Sequence, residues 1–281
     1  MKKIILSIFL TGLFFSPALL MGQITASTPT DNLYQNPGVI DRVPMPLPSV
    51  RKADIMWSKR IWREIDFRQK MNNVFYFPTV QQQNWKSFIT VILDALKQGK
   101  ITAYDISNTD ELLVPITYNE IIARQTDTIH KTLRRTYAPF DQYDTTIITE
   151  FDPTQVMRLR LKEDWYFDSK LSEMLVRIEA FCPVMLKEHN GQQVPVPLFW
   201  VSYADARKVL ARALAYNPAN SAMRLSFDDI FIKRLFESYI YKEQNIFDRR
   251  INDYATGANA IRESNRIKTQ MFNFEQYLWQ Y

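Results

Sequence analysis

Apolar and charged residues in the segment 52–72, KADIMWSKRIWREIDFRQKMN, recur at the period of an α-helix. At about 100° per residue, five apolar side chains fall within an arc of roughly 160°. They form the core face of this predicted helix: Ile55, Trp57, Ile61, Trp62 and Ile65. Charged side chains crowd into about 60° on the other side by the same construction. They are Lys59, Arg63, Asp66 and Lys70. The pattern predicts an amphipathic helix.

Two apolar residues of this helix, Met56 and Phe67, lie beside the charged stripe rather than on the core face. An apolar pair next to basic side chains is typical of a protein contact surface. The candidate interaction surface therefore consists of Met56, Lys59, Arg63, Phe67 and Lys70. Two isolated exposed apolar residues remain the alternative interpretation.

The rest of the chain alternates between helical and strand patterns. Residues 84–100 predict a helix with Asn84 as candidate N-cap and Gly99 at its C-terminal end. Residues 101–107 and 111–118 predict strands, and residues 119–135 are compatible with a helix. From 145 to 203 the pattern becomes β, with strict alternation at the start of residues 156–167 and an Asn-Gly turn at 190–191.

Helical patterns return at residues 203–218 and 226–245, the second with a capping-box-like start at Ser226 and Asp229. The predicted fold class is therefore α+β, with N-terminal helices, a central antiparallel sheet and C-terminal helices. We expect an α+β body over residues 51–245 and a partly helical tail over residues 246–281, which ends in alternating aromatic residues.

The first residues predict export from the cytoplasm. A basic start, an apolar run interrupted by Pro17, and Gly22 before Gln23 are typical of a signal peptide over residues 1–22. An uncleaved membrane anchor is the alternative, but the run is short for a membrane span. Residues 23–50 contain many prolines and predict an extended arm that is either disordered or laid along another surface.

The net charge and the cysteine content further limit the classes of function that the sequence predicts. The formal net charge is +5, and removal of Lys2 and Lys3 with the signal peptide lowers it to +3. Because acidic residues accompany the basic ones throughout, the sequence does not predict nucleic-acid binding. The single cysteine, Cys182, cannot form an internal disulfide, and its apolar surroundings predict a buried side chain.

Candidate chemistry is sparse. The few glycines do not form a phosphate-binding loop, and His130 and His189 lack neighbouring ligands at metal-site spacing. The sequence therefore predicts no cofactor and no metal site. Adjacent carboxylates occur at Asp110–Glu111, Glu163–Asp164 and Asp228–Asp229. Paired carboxylates can hydrolyse glycosidic bonds, so a periplasmic hydrolase of cell-wall or glycan substrates is the alternative function. A free-standing periplasmic binding module is a third interpretation.

The run DIMWSKRIWREIDFRQKMN, followed by FYFP, resembles the gliding motility protein family GldN, called PorN in non-gliding relatives. The signal peptide, the proline-rich arm and the length of the α+β body fit the same layout.

This resemblance implies a structural, non-enzymatic component of the type IX secretion system of Bacteroidetes-type bacteria. It implies a periplasmic location at the inner face of the outer membrane, and a ring of several copies. The implied partners are a GldK/PorK-like outer-membrane lipoprotein and the periplasmic part of a GldM/PorM-like motor protein. Membrane contact would then be indirect, through the lipoprotein, and the family carries no catalytic residues to transfer.

Overall fold

The segment that contains Trp57 and Trp62 forms a strand, so the prediction of a helix over residues 52–72 is wrong. The computed structural model describes residues 42–82, 85–107, 110–137, 141–149, 151–189, 191–217 and 224–278. Strand β1 runs Ile55–Asp66. A single 3-10 turn, Lys70–Asn72, and the short helix α1, Asn73–Tyr76, follow it. The predicted signal peptide and residues 23–41 of the predicted arm lie outside the described residues.

The other strands are β2 Ala103–Tyr104, β3 Pro115–Ile116, β4 Asp127–Arg134, β5 Gln142–Thr149, β6 Val156–Asp168, β7 Glu173–His189, β8 Gln192–Pro197, β9 Trp200–Ser202 and β10 Tyr239–Glu243. The other helices are α2 Phe88–Lys97, α3 Tyr118–Gln125, α4 Tyr203–Leu210, α5 Phe227–Ile232 and α6 Ala258–Leu278.

Eight of these strands form one antiparallel sheet. Its order is β10-β1-β6-β7-β9-β2-β3, with β8 paired to β7. Strands β4 and β5 pair with each other as a separate hairpin. The sheet together with the helices confirms the predicted α+β class. Because β1 lies between β6 and β10, an N-terminal segment forms an inner strand of the sheet.

The sequence of β1 lacks the alternation typical of a strand because the second half of β1 is buried on both sides. Consecutive side chains of a strand point to opposite faces, so a doubly covered strand has no polar side. Residues 61–65 are all buried. Arg63 and Glu64 in this run form ion pairs with Glu163 and Arg160 of the neighbouring strand β6. The sequence of such a strand therefore places apolar and charged residues side by side without alternation.

Three further helix predictions extend too far. Within residues 203–218, α4 ends at Leu210. Within residues 119–135, α3 ends at Gln125 and the chain continues as β4. Within residues 226–245, α5 ends at Ile232, and the alternating run at 239–243 forms edge strand β10. In the last two segments β-branched and aromatic residues favour a strand after the helix.

Several end signals were predicted correctly. Gly99 follows α2 with a φ of 65°, a conformation that favours glycine. Ser87, rather than Asn84, caps that helix, and Asn84 lies outside the described residues. The capping box of Ser226 and Asp229 opens α5. Gly191, with a φ of 77°, lies in the turn between β7 and β8.

The main core lies on the side of the sheet that α1, α2, α4 and α5 cover, which we call the helical side. Phenylalanines dominate it, and the ring centroids of Phe88 and Phe181 are 5.4 Å apart. Phe75 packs against both Phe88 and Phe231. These aromatic contacts hold the helices to strand β7.

Helix α6, from the predicted tail, packs on the same body. Its buried Ile267 and Met271 join Ile61 of β1 and Ile240 of β10 in a second apolar cluster. The Ile240 backbone N–H donates a hydrogen bond of 2.9 Å to the Ser264 hydroxyl oxygen. Helix α6 thus provides an acceptor for a backbone N–H of edge strand β10. This hydrogen bond protects the edge from pairing with another chain.

Candidate interaction surface

The five residues of the predicted interaction surface do not share one surface in the structure. Met56 is 70% exposed, and Lys70 is exposed in the turn after β1. Lys59 is half-buried and forms a 2.5 Å salt bridge with Glu243. Arg63 and Phe67 are buried, so neither can contact a partner. A strand projects Met56 and Phe67 differently from a helix, which removes the predicted contact face.

The residues of the predicted core face lie on both sides of the sheet. Ile61 and Ile65 are fully buried on the helical side. Trp57 is half-buried there, with its ring centroid 4.9 Å from that of Phe274 in α6. Trp62 is buried on the opposite side of the sheet, beside Cys182 and Trp200.

A buried ion cluster surrounds Glu163, whose side chain is fully inaccessible. Arg63 lies 3.1 Å from its carboxylate, and Arg234 donates hydrogen bonds of 2.9 and 3.2 Å to it. The Trp165 indole N–H donates a further bond of 2.9 Å. Both guanidinium groups also lie over the Trp165 ring, at 5.3 and 5.5 Å from its centroid. Every oxygen of Glu163 therefore has a fixed donor, as expected for a structural carboxylate.

The side of the sheet opposite the helices, which we call the polar side, carries a second set of ion pairs. Glu64 of β1 accepts hydrogen bonds from Arg158, at 2.8 Å, and from Arg160, at 3.0 Å. The Tyr239 hydroxyl donates to the same carboxylate. Arg160 also lies 4.9 Å from the Tyr241 ring centroid. These contacts join β1, β6 and β10 through side chains as well as through backbone bonds.

A cleft of about 470 Å³ opens on the polar side. Its lining includes Arg160, Trp200 and Tyr241 together with the first acidic pair, Asp110 and Glu111. Lys242, at the cleft edge, lies 4.3 Å from the Trp62 ring centroid and forms a 2.6 Å salt bridge with Asp248. Basic and acidic groups alternate around the cleft, so it offers no site of one sign to a charged ligand.

The other two acidic pairs are engaged in folding contacts. Arg60 donates bonds of 2.6 and 2.7 Å to Asp164, its direct partner across β1 and β6. Buried Asp228 accepts bonds of 3.0 and 3.1 Å from Arg207 and one of 2.8 Å from the Tyr203 hydroxyl. Asp228 thus ties the first turn of α5 to α4.

Asp229 is part of the capping box at the start of α5. Burial pushes its pKa upward, but hydrogen bonds from Ser226 and the nearby Arg42 charge outweigh that effect and lower the pKa below its usual value. The carboxylate is thus held in its ionised form at the helix N-terminus, where a negative charge is favourable. Among the described residues, no group of histidine, cysteine and carboxylate side chains is arranged to hold a metal ion.

Residues 42–50 of the predicted arm lie along the body, and we call them the strap. Its backbone carbonyls accept hydrogen bonds from arginines of the body, Met45 from Arg207 and Pro48 from Arg177. At its start, Arg42 forms an ion pair with Asp229. The strap is therefore anchored through its backbone and one terminal charge.

The strap presents its apolar side chains to solvent. Val43 is 78% exposed, Met45 66% and Leu47 38%. Alternating prolines restrict the backbone, so these side chains are displayed on a stiff, extended segment. The sequence predicts the arm but not its anchoring arginines, because every residue has a backbone carbonyl and the pattern does not show which ones accept a hydrogen bond. The alternation of Val43, Met45 and Leu47 with prolines was the available signal.

Comparison with known protein families gives a match that covers most of the chain. The family model described as "Gliding motility associated protein GldN" matches residues 50–280. No curated protein sequence matches the chain. Within the described part of the chain, no helix has both the length and the apolar character needed to cross a bilayer.

Proposed function

This chain belongs to the gliding motility associated protein GldN family, and from that premise we propose a non-enzymatic, structural role in type IX protein secretion. The match over residues 50–280 is the observation that carries the proposal, because it includes β1 and every helix described above. Members of this family are structural components of the gliding motility machinery. The proposed location is the periplasm, at the inner face of the outer membrane.

We further propose that several copies form a ring with a GldK/PorK-like lipoprotein and contact a GldM/PorM-like motor protein. The ion clusters on β1 support a structural role rather than a catalytic one. Glu64 and Glu163 are each bound by two arginines, which fixes their geometry and leaves neither oxygen free to act as a base.

The strap and Met56 are the proposed contact surface, in place of the five residues taken from the helical interpretation. Both expose apolar side chains on backbone that is held by the body. Apolar groups on a backbone that is already fixed lose little backbone entropy on binding, which favours a stable contact. Val43, Met45 and Leu47 supply a row of such groups, and Met56 supplies another near the start of β1.

A triple substitution tests this surface. We expect Val43→Ser, Met45→Ser and Leu47→Ser together to abolish co-purification of the lipoprotein and secretion of cargo, because the apolar row is lost. Unfolding of the purified chain should be unchanged, since the three side chains are exposed. The matched control is Leu171→Ser with Val194→Ser, two other exposed apolar residues. Normal secretion and co-purification in the triple variant would refute the strap as a contact surface.

A further inference from the structure

The loop between β10 and the 3-10 turn Ile251–Asp253 exposes two adjacent large apolar side chains. Ile246 is 98% exposed and Phe247 is 71% exposed. We call this pair the 246–247 tip. No other described apolar residue is as exposed as Ile246. The proposed strap surface does not include the tip.

Hydrogen bonds fix the shape of this loop. The Asn245 side-chain amide donates bonds of 2.8 Å to the carbonyls of Glu243 and Arg249. Its oxygen accepts a bond of 3.0 Å from the Arg249 backbone N–H. Asp248, on the other side of the tip, forms its 2.6 Å salt bridge with Lys242. The apolar pair is thus held in an exposed position before any partner is present.

Cationic and aromatic side chains flank the tip. The Arg249 guanidinium lies 4.6 Å from the Phe247 ring centroid and 5.9 Å from that of Tyr254. Arg249 and Arg250 are exposed, and neither forms a salt bridge in the described part of the chain. Asp248 and Glu243 are ion-paired with Lys242 and Lys59, whereas Asp253 accepts a hydrogen bond from the neutral Arg250 backbone N–H and keeps its charge. Arg249 and Arg250 against Asp253 therefore leave a net positive charge around the tip.

We propose that the 246–247 tip binds directly to the surface of a bilayer that contains anionic lipids, in addition to the indirect membrane contact through the lipoprotein. Ile246 and Phe247 would enter the boundary between headgroups and acyl chains, and Arg249 and Arg250 would contact lipid phosphates. Isoleucine and phenylalanine gain from leaving water, and each arginine near an anionic surface adds attraction. Tyr254, which is about half-exposed, has the amphipathic ring that is enriched at membrane interfaces.

The exposure of Ile246 and Phe247 on a protruding loop favours a lipid surface over a protein partner. A protein would need a matching concave pocket with an acidic rim, whereas a bilayer accommodates a protruding apolar pair of any shape. The free positive charge matches anionic headgroups without a specific geometry. This contact does not depend on ring assembly, because it uses a single chain.

Vesicle co-sedimentation tests the proposal with the protein purified from the periplasm of an expression host. Vesicles of phosphatidylethanolamine and phosphatidylglycerol should bind the protein, and vesicles of phosphatidylcholine should bind it less. We expect Ile246→Ser with Phe247→Ser to weaken partitioning into anionic vesicles about tenfold or more. Arg249→Gln with Arg250→Gln should weaken it also and reduce its dependence on salt.

The matched control replaces another exposed isoleucine and phenylalanine, Ile261→Ser with Phe272→Ser on α6. This control should bind as the unaltered protein does. Circular dichroism and thermal unfolding would establish that all variants fold. The proposal is overturned if the unaltered protein does not bind anionic vesicles, if the tip variant binds normally, or if the control loses as much binding. It is also overturned if the tip variant loses only a protein partner, with vesicle binding unchanged.

Discussion

Arg63 and Glu163 form an ion pair of 3.1 Å between side chains that are 6% and 0% exposed. The two residues come from β1 and β6, neighbouring strands that are far apart in sequence. Removing two charges from water costs several kcal/mol each, and only close pairing offsets that cost. This pair therefore depends on the register of the two strands and on Arg234, the second cation at Glu163.

Replacing Glu163 should destabilise the fold strongly. Glu163→Gln leaves Arg63 and Arg234 without their carboxylate, and we expect a loss of about 3–5 kcal/mol in the free energy of unfolding. Urea unfolding measures this change. The matched control is Asp164→Asn, the adjacent acid in a partly exposed pair with Arg60, where we expect about 1 kcal/mol or less. Equal losses in the two variants would contradict a structural role for the buried cluster.

Asn72 should be a second sensitive position. Its buried amide donates bonds to the backbone carbonyls of Asp66 and Glu237, each 2.9 Å long, and accepts one from the Glu237 N–H. Asn72→Ala leaves these backbone groups unpaired, so we expect about 2–4 kcal/mol of destabilisation in chemical unfolding. Asn73→Ala, at the half-buried neighbouring position, is the control. The account fails here if Asn73→Ala costs as much as Asn72→Ala.

Glu179 should make stability depend on pH in the opposite sense to an ion-paired acid. Burial, followed by repulsion from Asp164, raises the pKa of Glu179 above its usual 4.5. The folded state therefore disfavours the charged carboxylate of Glu179. This destabilisation is present above the raised pKa and disappears as pH falls below the pKa of Glu179 in the unfolded chain.

We expect Glu179→Gln to raise the melting temperature at pH 7, with the difference shrinking towards zero as pH falls to about 4 and below. Thermal unfolding followed over that range measures it. Glu173→Gln, at the exposed end of the same strand, should change little at any pH. A lower melting temperature for Glu179→Gln at pH 7 would show that the sign is wrong.

Cys182 should be chemically inert in the folded protein. Burial raises the pKa of its thiol to about 12, and the side chain is fully inaccessible. Because the thiolate is the reactive form, a maleimide reagent should not label the native chain at pH 7. One equivalent should react after denaturation, since the sequence contains one cysteine. Rapid labelling of the native protein would mean that β7 opens readily.

The sequence predicts correctly those elements in which apolar and polar residues follow one clear period. Strand β6 begins with strict alternation, and the Asn-Gly turn marks the hairpin of β7 and β8. Strand β1 was misread because burial on both sides removes the alternation. A cross-strand signal was nevertheless present in the sequence. Three oppositely charged pairs share one antiparallel register: Arg60 with Asp164, Glu64 with Arg160, and Asp66 with Arg158.

The candidate surface was less predictable than the fold. The helical interpretation placed Met56 and Phe67 together, but only Met56 is exposed in the strand. The strap depends on arginines that donate to backbone carbonyls, and Arg177 has no sequence feature that distinguishes it from a solvated residue. Contacts of this kind are set by the tertiary fold and cannot be read from local periodicity.

The most direct test of the central claim is purification of the tagged chain from solubilised envelopes of its own host, followed by electron microscopy. A structural subunit of the secretion machinery should be recovered as ring-shaped particles together with an outer-membrane lipoprotein. Recovery of a lone monomer, with no co-purifying lipoprotein and no ring, would contradict the account.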